Sequence, residues 1–220
     1  MTDMNIDHAR FNMIEQQVRP WDVLDHNVLK VMADIPREKF VPKQYENLAF
    51  SDVEIPLGDG QVMLQPRIEG RIMQALNIKS DDRILEIGTG TGFMTACMSK
   101  LGDSVVSVEC IESLSKQARE NLDAQNISNV TLRVGDGVNG WDQDGPFDII
   151  AITGSMPKVS KKFKSILHKR GRMFVIVGEA PVMHAKLITR LSDDDFLEET
   201  LFEISIPPLS GIEKKEEFTF

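Results

Sequence analysis

Apolar residues recur along this chain at two different spacings, and the change from one to the other divides it. Over residues 9–17 and 26–35 they return at helical intervals, with Val28, Leu29, Met32 and Ile35 on one face. Pro36 and Pro42 break the chain into loops beyond that point. Pro66–Leu76 reads as a helix again, with its proline in the first turn and Ile68, Ile72, Met73 and Leu76 inward. From Asp82 onward, short apolar runs alternate with helical stretches. Strands are predicted at 83–87, 104–109, 130–134, 147–153 and 172–177, and helices at 93–101, 113–125 and 158–167. Two last strands, 185–191 and about 197–206, follow with no helix between them.

Alternation at this spacing implies a parallel sheet covered on both faces, and consecutive final strands add an antiparallel pair at one edge. The predicted fold class is therefore α/β. It is a doubly wound, mostly parallel, seven-stranded Rossmann-like sheet with an antiparallel C-terminal hairpin and an N-terminal helical cap. Residues 1–65 form the cap and a site loop, and 66–220 form the sheet domain, together one compact unit.

Composition narrows the partners more than the fold. The chain has 220 residues and a formal net charge of -9, a field that repels phosphate backbones, so no nucleic-acid partner is expected. Its two cysteines, Cys97 and Cys110, have no metal-ligand spacing, so neither a disulfide framework nor a metal site is expected. No apolar run nears the roughly 20 residues that span a bilayer, and the polar N-terminus lacks a secretory signal. A cytoplasmic protein without a membrane partner is expected; the oligomeric state stays open.

The candidate chemistry centres on L-E-I-G-T-G-T-G-F, residues 85–93. Gly88, Gly90 and Gly92 fall between the first sheet strand and its helix, where a ligand can approach bare backbone. A dinucleotide fingerprint would need its third glycine at position 93, which is Phe93. Glu86, two residues before the first glycine, suits a ligand carrying an ammonium or sulfonium better than a pyrophosphate. Glu109 ends the second strand of the sheet, where a carboxylate can accept ribose hydroxyls, and Asp136 follows the third, where one can accept from an adenine amino group. An acid at a strand end can also simply cap the next helix, but three at successive strand ends point to a cofactor. These residues predict an S-adenosyl-L-methionine site, with Thr89 inside the turn and Cys110 and Gly137 beside the second and third acids.

The chain also resembles the protein-L-isoaspartate O-methyltransferases over residues 28–178. The likeness rests on V-M-A-D-I-P-R-E-K-F-V-P (31–42), A-F-S-D-V-E-I-P-L-G-D-G-Q (49–61), the glycine turn, V-G-D-G (134–137), Trp141 and P-F-D-I-I-A-I-T-G-S-M-P (146–157). The resemblance implies methyl transfer to the free carboxylate of an L-isoaspartyl residue in a damaged protein, the first step of a protein repair. The acceptor is then a protein or peptide carboxylate. By the same resemblance Met63, Leu64, Gln65 and Pro66 border the cofactor. The family pattern has threonine-isoleucine-serine where this chain has Val62, Met63 and Leu64, so the usual active-site serine is Leu64 and no catalytic residue is assigned. Two alternatives stay open: a methyltransferase of this family with another carboxylate or peptide acceptor, and a cofactor-binding protein with little or no catalysis.

Overall fold

In the computed structural model, residues 5–212 are described. The N-terminal part is helical: α1 (Ile6–Met13), a π-helical turn at Ile14–Val18, a 3₁₀ turn at Arg19–Trp21, and α2 (His26–Asp34). Asp25 starts α2 by accepting the Asn27 and Val28 N–H groups at 2.8 and 3.1 Å. The helix stops at Asp34 because Ile35, preceding Pro36, is held extended. The hairpin of β1 (Ile55–Gly58) and β2 (Gln61–Met63) follows, turning on Asp59 and Gly60, both at positive φ. That is the backbone an Asp-Gly turn favours. Next comes α3 (Pro66–Leu76), which ends on Asn77 in the left-handed region.

The sheet and its helices alternate from there: β3 (Arg83–Ile87), α4 (Phe93–Leu101), β4 (Ser104–Glu109), α5 (Glu112–Ala124), β5 (Val130–Val134), β6 (Phe147–Met156), α6 (Lys161–Ile166), β7 (Leu167–Glu179), β8 (Val182–Arg190) and β9 (Phe196–Glu203). The seven strands run in the order β5-β4-β3-β6-β7-β8-β9, parallel from β5 to β7 and antiparallel through β8 and β9. This is the doubly wound sheet with an antiparallel edge that the periodicity predicts. Strand order reverses between β3 and β6, so a crevice opens at the carboxyl end of β3, where such sheets take ligands.

Period-two alternation divides the core between the two faces of the sheet. Ile84, Ile149 and Ala151 join an apolar cluster with Met32 of α2 and Ile72 of α3. Their neighbours Leu85, Ile150 and Ile152 join a second cluster with Phe163 of α6. The first cluster reaches from Met13 to Ile206 and takes in the cap, so cap and sheet share apolar packing. Among the described residues, no helix is long and apolar enough to cross a membrane.

Three local expectations change. The 158–167 helix shortens to six residues, Lys161–Ile166, because Leu167 already pairs with Phe147 as the start of β7. The β1–β2 hairpin stands where only a loop was expected. After β9, residues 204–212 turn back across the carboxyl ends of the strands, with Leu209 N–H donating to Ser155 O at 3.0 Å. The closing Phe218-Thr219-Phe220 lies outside the described residues.

Candidate active site

The turn from β3 into α4 is built by backbone that side chains would spoil. Gly88 has φ +96, and a Cβ there would lie 2.6 Å from Thr153 Oγ1. Gly92 has φ +85 and lets α5 approach, with Ala118 Cβ 3.3 Å from where its own Cβ would be, so its part is packing. Gly88 N–H donates to Val108 O at 2.9 Å, which ties the turn to β4.

Glu86 and Glu109 sit on adjacent strands but in different surroundings. Glu86 is 0% exposed, and its Oε2 accepts from Thr95 Oγ1 and, at 2.6 Å, from Ser107 Oγ. Ser107 in turn shares a 2.6 Å hydrogen bond with Thr89. Burial pushes the Glu86 carboxyl up to about 8; the Ser107 and Thr95 hydrogen bonds oppose the rise and the nearby Glu109 charge adds to it. Its other oxygen, Oε1, is buried with no hydrogen-bond partner. Glu109 lies at the crevice, with Oε2 accepting Gly90 N–H at 2.9 Å and Oε1 accepting Ile111 N–H at 3.1 Å. Oε1 also accepts from the Cys110 thiol at 3.8 Å, so Oε2 is the oxygen with a lone pair left for a further donor.

Three small cavities, of about 40, 40 and 30 Å³, follow the carboxyl edge of the sheet. One runs from Met63 and Leu64 past Glu69 to Thr89, Gly90 and Thr91. The second joins Leu64, Gly88 and Glu109, and the third joins Glu109, Cys110 and Gly137. Leu57 and Val62 of the hairpin and Leu209 of the returning segment close them over. Gln61 Nε2 donates to Pro208 O at 3.4 Å, linking hairpin to segment. Hairpin and returning segment are thus the two covers over this edge of the sheet.

The structure thus brings Met63, Leu64, Gly88, Thr89, Gly90, Glu109, Cys110 and Gly137 onto one line of cavities. Gln65 and Pro66 instead open α3, where Gln65 O accepts the Ile68 and Glu69 N–H groups at 3.0 and 3.1 Å. Glu86 lies in its hydroxyl network and outside the residues lining these cavities. Asp136 stands exposed at the rim, holding the Val138 N–H at 2.9 Å beside Gly211. Burial and the Glu109 charge push the Cys110 thiol up, which disfavours a thiolate nucleophile.

A far larger groove, about 840 Å³, lies by α2 and the ends of α3 and α4. Its Ser80 and Lys100 precede β3 and β4, so it is at the amino ends of the strands, away from the glycine turn. Among the described residues, no group of three histidine, cysteine or acidic side chains could hold a metal ion.

The donor set fits S-adenosylmethionine. The three cavities are lined by Glu69, Glu109 and apolar or neutral residues, with no lysine or arginine among them. Glu69 is balanced by Arg37 behind it, so Glu109 is the acid that faces a ligand here, and such a crevice suits a ligand with a cationic centre and repels a pyrophosphate. Glu86 Oε1, unpartnered behind this line, accepts from an ammonium only once the carboxyl has lost its proton.

Two residues beside this site escape a reading of strand ends alone. Glu69 lies on the buried stripe of α3 with Ile72, Met73 and Leu76, and an acid at that helical spacing was a readable signal. Arg37 belongs to the P-R-x-x-F-V-P segment, whose arginine is wholly buried.

The sequence profile of the family described as Protein-L-isoaspartate(D-aspartate) O-methyltransferase (PCMT) matches residues 9–214. A protein-L-isoaspartate O-methyltransferase of Syntrophus aciditrophicus (strain SB) is 38% identical over 84% of this chain and 85% of its own. One of Opitutus terrae is 37% identical over 92% of this chain and 87% of its own. A solved protein-L-isoaspartate O-methyltransferase structure superposes with a TM-score of 0.81 at 26% identity, covering 92% of this chain and 66% of that one. A Plasmodium falciparum structure, described as a putative member in complex with S-adenosyl-L-homocysteine, shares the fold at TM-score 0.79 and 18% identity, covering 93% of this chain and 98% of that one.

Proposed function

The chain belongs to the protein-L-isoaspartate O-methyltransferase family, and from that premise we propose that it methylates the free carboxylate of L-isoaspartyl residues in damaged proteins. It is an S-adenosylmethionine-dependent O-methyltransferase. The observation that carries the reading is the line of cavities from Leu64 past Gly88 and Gly90 to Glu109, acidic and apolar and free of lysine and arginine among its lining residues.

S-adenosylmethionine, when bound, supplies a sulfonium methyl open to nucleophilic attack. Glu109 would hold the ribose hydroxyls, the backbone at Gly88 and Gly90 would border the cofactor closely, and Gly137 and Cys110 would border its base. An acceptor carboxylate is already ionised at neutral pH, so the chain needs no general base. Its contribution is alignment and exclusion of water. Leu57, Val62, Leu64 and Leu209 cover the crevice with apolar side chains, which strengthens attraction between unlike charges inside.

A second reading, the same chemistry on a different carboxylate or peptide acceptor, is favoured by one observation. Leu64 is 6% exposed and lines the cavities beside Leu57 and Val62, so this part of the loop offers the acceptor no hydroxyl. We also read the partner as a protein or peptide rather than nucleic acid, in line with the formal net charge of -9, and the compartment as the cytoplasm.

Chromatography of an isoaspartyl peptide incubated with the protein and S-adenosylmethionine tests the first reading. A methyl ester, then succinimide and normal aspartyl peptide, is expected. Recovery of the peptide unchanged, with cofactor binding intact, would favour the second reading.

A further inference from the structure

Arg37 lies behind the crevice, in the 3₁₀ turn Arg37–Lys39 that follows α2, and is 0% exposed. Its guanidinium is divided among three partners. Nε donates to Ala49 O at 2.8 Å, Nη1 to Glu69 Oε2 at 2.5 Å, and Nη2 to Leu64 O at 2.7 Å. Its carbon lies 4.9 Å from the ring centre of Phe93, the first residue of α4. The neighbouring acid, Glu38, is taken by Arg10 at 2.9 and 3.1 Å, so Glu69 is the counter-charge.

An arginine placed only to balance Glu69 would turn both arms of its fork onto that carboxylate. Here one arm goes to the Leu64 main chain. Leu64 stands between the end of β2 and the start of α3, so neither element's ladder holds its carbonyl. Arg37 therefore fixes the Leu64 peptide plane, and with it the side chain bordering the cavities at Gly88 and Gly90. The same cation touches the helix that leaves the glycine turn, so it registers the loop against the turn. We propose that Arg37 is a positioning residue for methyl transfer, holding the Leu64 segment over the glycine turn through its carbonyl while Glu69 balances its charge. The inference rests on the functional reading above, which puts that segment at the acceptor.

Two variants test it. Arg37→Lys keeps a charge for Glu69 but lacks the fork that reaches Leu64 at the same time. The double variant Arg37→Met/Glu69→Met replaces the buried pair by apolar groups, a change that folded proteins often tolerate, and removes the donor to Leu64. Each is measured for thermal unfolding, S-adenosylhomocysteine affinity, kcat and KM on an isoaspartyl peptide, and amide hydrogen exchange over residues 55–65 against β3.

The expected result is a folded chain in both; in Arg37→Lys, which keeps Glu69, cofactor affinity stays within about threefold, while kcat falls on the order of 10- to 100-fold and KM changes less. Exchange over 55–65 speeds up while β3 stays protected. Folded variants with wild-type kcat and unchanged exchange overturn the proposal, as does loss of folding in both variants, which would make Arg37 purely structural. A wild-type chain with no turnover refutes the functional reading instead. Exchange then still decides whether Arg37 holds the segment.

Discussion

Replacing Glu86 by glutamine gives a sharp test of how the site is built, because the carboxyl is buried yet has only two hydroxyl donors. Its folded value is pushed from 4.5 to about 8, chiefly by burial. Between those limits the folded chain keeps a proton that the unfolded chain has lost. The stabilisation this proton confers is full below about pH 4.5 and is lost as pH rises through about 8, at about 1.4 kcal/mol per pH unit. Over the whole window this one group shifts stability by on the order of 4 to 5 kcal/mol, a large share of a typical domain's ~5–15 kcal/mol. Glutamine keeps an oxygen for Thr95 and Ser107 but puts an amide nitrogen where Oε1 has no partner, a cost of about 1–3 kcal/mol at every pH. Glu69, also raised, to about 7, is present in both proteins and cancels in the comparison. Urea unfolding at pH 5, 6, 7 and 8 should show the wild type ahead at pH 5 and Glu86→Gln equal or ahead at pH 8. Parallel stability curves would refute a buried, proton-holding carboxyl at this position.

Three further outcomes follow from the same geometry. Cofactor binding at pH 7, measured by calorimetry in buffers of different ionisation heat, should release more protons in the wild type than in Glu86→Gln, because a bound cation favours the ionised carboxyl; equal proton release in both would separate Glu86 from the cofactor. Glu109→Gln should weaken S-adenosylhomocysteine binding by about 10- to 100-fold, since each charge-assisted hydrogen bond is worth roughly twice a neutral one; an unchanged Kd would remove Glu109 from the ribose. The double variant Val62→Thr/Leu64→Ser should raise kcat on an isoaspartyl peptide while costing about 2–4 kcal/mol of stability for the buried leucine; lower activity in a folded variant would show that the acceptor pocket is adapted to its apolar loop.

How much of this was legible depended on how locally each feature is encoded. The sheet strands were readable because β3 and β6 are buried on both faces and appear as continuous apolar runs between turn residues. The glycine turn and Glu109 were readable for a related reason, since a carboxylate at a strand end and glycines before a helix answer to backbone position. The β1–β2 hairpin carried its Asp-Gly signal, but strands of four and three residues are too short for periodicity to register. The surroundings of Glu86 were not legible, because Thr95 and Ser107 come from α4 and β4 and meet it only after the sheet is assembled. Arg37 is the clearest case: its partners Ala49, Leu64 and Glu69 are 12 to 32 positions away, and two of the three are main-chain carbonyls that no side-chain pattern announces.

Whether this chain repairs isoaspartyl residues is decided by methyl transfer from labelled S-adenosylmethionine to an isoaspartyl peptide, run beside its aspartyl twin. Label is expected in a base-labile ester on the isoaspartyl peptide alone, despite Leu64. Equal label on both peptides, or none on either with the cofactor bound, would contradict it.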